Sequence, residues 1–157
     1  MTKPKFLILL VTPCILMPVP ASASDWVVFE PVRGLIVQYP RDVFPVDAGA
    51  GDHDGKVFAT EDGRARLNLF TIMNDRHETP KQFLRRSFPE DRRVLDYDRV
   101  ASNFFAVSKS KNGRIYYRRC NFPNDGVIRC VDLQYPAREE RAWDDIVTRI
   151  SLSLRPR

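Results

Sequence analysis

Between Asn103 and Leu133 the chain reads NFFAVSKSKNGRIYYRRCNFPNDGVIRCVDL. Three β-rich runs are separated by Lys111-Asn112-Gly113 and by Pro123-Asn124-Asp125-Gly126. Turn signals of this kind between strand-forming runs predict a meander of two consecutive hairpins.

Its register follows from which pairing groups like with like. In the first hairpin, a three-residue loop ending in a left-handed Gly113 sets Phe105 opposite Arg119, Val107 opposite Tyr117 and Lys109 opposite Ile115. A two-residue Asn-Gly loop instead sets Val107 opposite Arg118 and Ser108 opposite Tyr117. A slip of one residue sends a whole apolar set to the other face, so the reading that gathers Phe105, Val107, Ile115 and Tyr117 together is the expected one. In the second hairpin, folding about Asp125 sets Cys120 opposite Cys130, Arg118 opposite Asp132 and Tyr117 opposite Leu133. Thiols, opposite charges and apolar side chains then all find partners. A Cys120–Cys130 disulfide is therefore expected, closing a loop of about ten residues that the chain-entropy account values at roughly 2.5–3 kcal/mol. Nothing here resembles a Cys-x-x-Cys opening a helix, so a catalytic dithiol is not expected.

At the other end, Lys3 and Lys5 precede an apolar run from Phe6 to Met17, and Ala21-Ser22-Ala23 supplies small residues. A positively charged region, a short apolar region and an A-x-A site form a signal peptide, so residues 1–23 are expected to be removed after Ala23. Ser24 then begins a single mature domain, 24–157, in the periplasm or outside the cell. The apolar run is too short and too proline-punctuated to span a bilayer. A lipid anchor at Cys14 is disfavoured, because Val11-Thr12-Pro13 lacks the small residues such a signal carries. Loss of Cys14 with the leader leaves Cys120 and Cys130, an even count suited to an oxidising compartment. Formal charge drops from +5 to +3, since the leader holds two lysines and no acids. So mild a balance, spread among 20 acidic residues, favours solubility over a polyanion partner.

Along the mature chain, Trp26 to Phe29 is an apolar patch ended by Pro31, and Gly34 to Pro40 is a strand stopped by proline. Asp42 to Gly55, with Pro45, Gly49, Gly51 and Gly55, lacks apolar periodicity and is expected as the longest loop. Lys56–Thr60 and Arg64–Met73 flank Glu61-Asp62-Gly63 as a hairpin, the second run covered on both faces at its far end. Thr79-Pro80-Lys81-Gln82 starts a short helix, with Thr79 as cap and Gln82 returning a bond to it, which Pro89 ends. Arg92 to Ala101 is expected to hold a strand. Arg138 to Leu154 is an amphipathic helix whose Trp143, Ile146, Val147, Ile150 and Leu154 form one stripe.

Taken in sequence, a strand ending Tyr39-Pro40, a hairpin about Asp62-Gly63, a helix opening Thr79-Pro80, the meander, Tyr135-Pro136 and a terminal helix carrying Trp143-Asp144-Asp145-Ile146-Val147 make a distinctive order. It resembles the PsbP-like superfamily, which includes the extrinsic oxygen-evolving subunit of photosystem II, a yeast Ran-binding nuclear-import factor and small exported bacterial proteins of the DcrB-like kind. The resemblance implies an α/β (α+β) fold: a central, mostly antiparallel sheet of six or seven strands with helices on its faces. It also implies action by binding partners rather than by catalysis. No functional residue of the family falls on a matched motif of this chain, and the cysteine hairpin is not a rule of the family.

The residues that could carry chemistry are few. Asp52-His53-Asp54 places two carboxylates and an imidazole in a loop where a hard cation could bind, but the spacing lacks the later ligands of an EF-hand. His53 and His77 could each serve a hydrolase as general base only if a nucleophile and an orienting group converged on it. No nucleophile-elbow glycines accompany the serines. Arg85-Arg86, Arg92-Arg93 and Arg118-Arg119, with Tyr116, Tyr117 and Phe122 nearby, read as solvated faces or as a docking patch for an acidic protein or envelope component. Export argues against a nucleic-acid surface. The expectation is a small exported accessory or binding protein without a cofactor.

Overall fold

A computed structural model describes residues 24–30, 34–51, 53, 55–87 and 94–156. In chain order the elements are β1 (Trp26–Phe29), β2 (Leu35–Pro40), β3 (Val46–Ala50), β4 (Lys56–Ala59), β5 (Arg66–Met73), α1 (Pro80–Ser87), β6 (Tyr97–Val100), β7 (Phe104–Lys111), β8 (Arg114–Asn121), β9 (Val127–Pro136), a 3-10 turn Ala137–Glu139, α2 (Glu140–Ser153) and β10 (Arg155–Pro156). The expected leader with Cys14, the carboxylates Asp52 and Asp54, the Arg92-Arg93 pair and the Pro89 stop lie outside the described residues.

β9 is the axis. It is the longest strand, and its alternating side chains read as two apolar sets. Ile128 and Cys130 face one side, while Val131, Leu133 and Tyr135 face the other. A strand apolar on both faces must be covered on both faces. It lies between β5 and β8 in a seven-stranded antiparallel sheet ordered β3-β4-β5-β9-β8-β7-β6. A smaller sheet, β1-β2-β10, joins α2 over one face. There Leu35, Val37, Leu67, Leu133, Trp143 and Ile150 belong to one core. The stripe read on α2 is the buried one: Trp143, Val147, Ile150 and Leu154 are buried and Ile146 packs against them. Helix α1 covers the opposite face, with Phe83 and Leu84 against Phe70, Phe105, Phe122 and the two cysteines.

The second hairpin has the expected register. Cys120 pairs with Cys130, Arg118 with Asp132 and Tyr117 with Leu133. The cysteine sulfurs are bonded, and both residues are fully buried. The first hairpin departs from expectation. Phe105 pairs with Cys120, Val107 with Arg118 and Ser108 with Tyr117, around a two-residue Asn112-Gly113 turn in which both residues have positive φ, 52° and 73°. Such φ values match the right-handed twist of a hairpin. The three-residue loop follows only for a sheet with one apolar face. With two, Phe105 and Val107 join the cysteines beneath α1 while Ile115 turns to α2's side, so the slip costs no burial.

A second correction concerns Asp42 to Gly55. Rather than one irregular loop, it contains β3, which pairs with β4 through an irregularity between Asp47 and Ala50. Gly49 takes φ 93° there, and its N–H donates to Asp47 Oδ1 at 2.9 Å. An edge strand exposed on both faces carries no apolar alternation. The capping box at α1 forms as read: Thr79 N–H donates to Gln82 Oε1 at 2.8 Å, and Gln82 N–H to Thr79 Oγ1 at 3.3 Å.

Candidate functional site

Among the described residues, those marked in the sequence do not assemble into one site. His53 lies with its ring 5.9 Å from Phe70 in a near-parallel stack. His77 sits exposed in the turn before α1, its N–H donating to the Asn74 carbonyl at 2.9 Å. Both take positive φ, 52° and 50°, the left-handed conformation of turn residues. Among the described residues no group of three or more His, Cys, Asp or Glu side chains is placed to hold a metal ion.

The arginines divide among three places. Arg86 is clamped by Glu78, with Nε and Nη2 at 2.8 and 2.7 Å from its carboxylate, while Arg85 stands exposed on the same helix. Side-chain bonding to Arg86 pulls the Glu78 carboxyl below its ordinary range. Arg118 makes a two-pronged bond to Asp132 at 2.6 and 2.5 Å and lies 5.4 Å from the centre of the Phe70 ring. It contributes to the floor of a groove of about 390 Å³ that also meets Asn68, Tyr116 and Gln134. Gly51 abuts this groove through Asn68, whose Oδ1 would stand 2.3 Å from a side-chain carbon at position 51. The sharing of one strand by Arg118 and Arg119 says little about shared work, since neighbours along a strand face opposite ways.

Arg119 belongs to the other face, and there the structure makes a cleft that the sequence reading missed. Two cross-strand rows run side by side over β6, β7 and β8: Arg99, Ala106 and Arg119 in one, Tyr97, Ser108 and Tyr117 in the other. The middle strand contributes only small residues to both rows. Ala106 and Ser108 therefore sink a trough along β7 between two banks of long side chains. Helix α2 forms the third wall with Glu140, Asp144 and Leu152, and the cleft encloses about 510 Å³. This is within the range of pockets that bind small ligands or side chains.

Electrostatics divide the cleft. Arg99 and Arg119 reach from β6 and β8 toward the Phe104 ring, their guanidinium carbons 5.5 and 4.2 Å from its centre. Arg119 is held by neutral partners, its Nε donating to Asn121 Oδ1 at 3.0 Å and its Nη1 to Ser151 Oγ at 3.4 Å. Burial lowers the Arg119 pKa, with Arg99 adding to the shift. Tyr117 and Ser151 share a 2.7 Å hydrogen bond, and burial raises the Tyr117 pKa. On the facing wall, Tyr135 is pushed up to about 12 by burial first and then by the charges of Glu140 and Asp144. Phenols with raised pKa and a serine already bonded to one of them do not make an activated nucleophile. What the cleft offers is recognition: aromatic surface, two guanidinium groups and a separate acidic bank.

The signal for it was present but dispersed. Tyr97 and Arg99 alternate with Asp98 and Val100, as residues of one face do. Only pairing with β7 reveals that they sit across from the small Ala106 and Ser108.

Comparison with known proteins bears on the architecture. No family model matches the sequence, and no curated protein matches it significantly. In structure, it is similar to the solution structure of cyanobacterial PsbP (CyanoP) from Synechocystis sp. PCC 6803, with a TM-score of 0.60 over 91% of this chain and 99% of that one. The fold is PsbP-like. At 11% identity the PsbP-like likeness carries the arrangement of strands and helices and no residue's role. Among the described residues no helix is long and apolar enough to cross a membrane.

Proposed function

We propose that this is an exported, non-catalytic accessory protein that works by docking a protein partner in the cleft between α2 and the β6–β8 wing. The observation that carries the reading is the cleft's exposed lining: Tyr97 from β6 is 45% and Leu152 from α2 70% exposed, and both border the trough. Large apolar side chains left in water beside arginines are the composition of binding surfaces. Export is supported by Lys3, Lys5, the apolar run and the Ala21-Ser22-Ala23 site, and by a disulfide in the folded domain.

Photo-crosslinking tests it. A benzoylphenylalanine placed at Leu152, whose side chain stands in solvent, is expected to give one discrete adduct in cells, lost on Tyr97→Asp. The same probe at Val28, 58% exposed on the small sheet, is expected to give none. No adduct at Leu152, or an identical pattern from both positions, removes the proposal. Detection of the native protein in the cytosol with its leader intact removes the exported part of it.

A further inference from the structure

Like charges do not ordinarily occupy one cross-strand row. Arg99 and Arg119 flank Ala106 in register, two strands apart and so about 10 Å at the backbone. Their side chains nonetheless converge on the single ring of Phe104. Neither pairs with a carboxylate among the described residues, whereas Arg64, Arg86, Arg118 and Arg129 all do. A half-buried guanidinium without a counter-charge costs stability, and a second one beside it adds repulsion. The bonds of Arg119 to Asn121 and Ser151 and the stacking of both guanidinium groups on Phe104 fix the pair in place without neutralising its charge. Two fixed guanidinium groups aimed at one aromatic ring beside an open cleft present their remaining N–H donors to an anion.

The structure assigns Arg99, Phe104 and Arg119 as a receptor for one carboxylate side chain, presented by an extended peptide segment of the partner lying along the β7 trough. This rests on the docking reading above and names its chemistry. A carboxylate suits the site because a planar oxyanion accepts paired N–H bonds from guanidinium edges while the aromatic ring excludes water from one side. The opposite wall decides against polyanions. Glu140 and Asp144 face the same cleft, so a phosphate-rich strand or an anionic lipid surface would meet repulsion there. A segment with a single acidic residue avoids that wall, and a basic residue further along would be welcomed by it. The small Ala106 and Ser108 leave room for a main chain between the banks.

The test uses the purified protein and the probe acetyl-Gly-Gly-Glu-Phe-Gly-Gly-amide, followed through the arginine Nε–H signals by NMR. Saturable shifts are expected at Arg99 and Arg119, with the Gln-for-Glu peptide binding about tenfold or more weakly, as charge-assisted bonds require. Arg99→Gln, at an exposed position, is expected to weaken the Glu peptide several-fold, while Arg76→Gln leaves it unchanged. Arg99→Gln is also expected not to lower the melting temperature, which separates a ligand role from a structural one. Equal binding of the two peptides, no shift at millimolar peptide, or tighter binding of inorganic phosphate or phosphatidylglycerol vesicles overturns the assignment. If the Leu152 adduct persists unchanged in Arg99→Gln, docking stands and the carboxylate receptor falls.

Discussion

The two faces of the seven-stranded sheet solve the same burial problem with unequal means. On one side a fourteen-residue helix and a three-stranded sheet bring many apolar side chains, Trp143 among them. On the other, among the described residues, an eight-residue helix brings Phe83 and Leu84 as its large buried side chains. It is under this thinner cover that the Cys120–Cys130 bond lies, packed with Phe105 and Phe122. The difference teaches that packing and cross-linking are separate devices. Burial stabilises each face by the apolar area it covers, whereas the link constrains the unfolded chain with a gain set by the ten-residue separation it closes. The better-covered face can then leave its far wing, β6 to β8, open as a cleft.

The largest effect is expected on the well-packed face. Trp143 stacks on Tyr135 with ring centres 5.3 Å apart, lies 5.7 Å from Phe44 and donates to Glu139 at 3.5 Å. Trp143→Ala is expected to cost roughly 3–5 kcal/mol in urea unfolding, by lost transfer energy and the cavity left behind. A loss under about 1 kcal/mol would mean that α2 is not what holds this face.

Removing the bond on the thinner face ranks next. The Cys120→Ala, Cys130→Ala double variant is expected to lose roughly 2–3 kcal/mol while keeping its fold, as read by circular dichroism. Intact mass after denaturing alkylation without reductant checks the bond itself: two added alkyl groups would show that the thiols are free. Third comes the charge pair beside it. Arg118 and Asp132 are each about three-quarters buried, and Asp132→Asn removes the negative charge from their two-pronged bond. The expected loss is about 1–2 kcal/mol, and similar in Arg118→Met, which takes the guanidinium away from the equally buried Asp132 carboxylate.

These two faces also explain what could be read from the chain. The second hairpin was legible because three cross-strand pairs of different chemistry agreed on one register. The first was not, because Phe105 and Val107 on one side and Ile115 on the other are apolar sets for different cores, and alternation cannot say how many faces are covered. α2 was legible through its stripe, and α1 through Thr79, Pro80 and Gln82. β3 was hidden by having no buried side to leave a pattern. The cleft was hidden for another reason: it is made by small residues opposite large ones across strand pairings, and a row such as Arg99, Ala106, Arg119 exists only after registry is fixed. Sequence position paired Arg118 with Arg119, whereas the sheet sends them to opposite faces.

The smallest expected effect falls at the cleft's acidic wall and is a matter of pH. Tyr135 loses its proton in the folded protein at about 12, above the value near 10 of a phenol in the unfolded chain. A folded-state pKa raised in this way contributes stability that is fully present below pH 10 and is lost as pH climbs from about 10 to about 12. The unfolded chain can ionise the phenol across that window, and the folded protein cannot. Absorbance at 295 nm is expected to show buried tyrosines ionising late in an alkaline titration, Tyr117 among them, and Tyr135→Phe to remove the last phase. Because Glu140 and Asp144 contribute after burial, Asp144→Asn should move the phase down only slightly, since burial remains. A large downward move would mean that charge rather than burial governs the wall, and that the cleft is wetter than its packing implies.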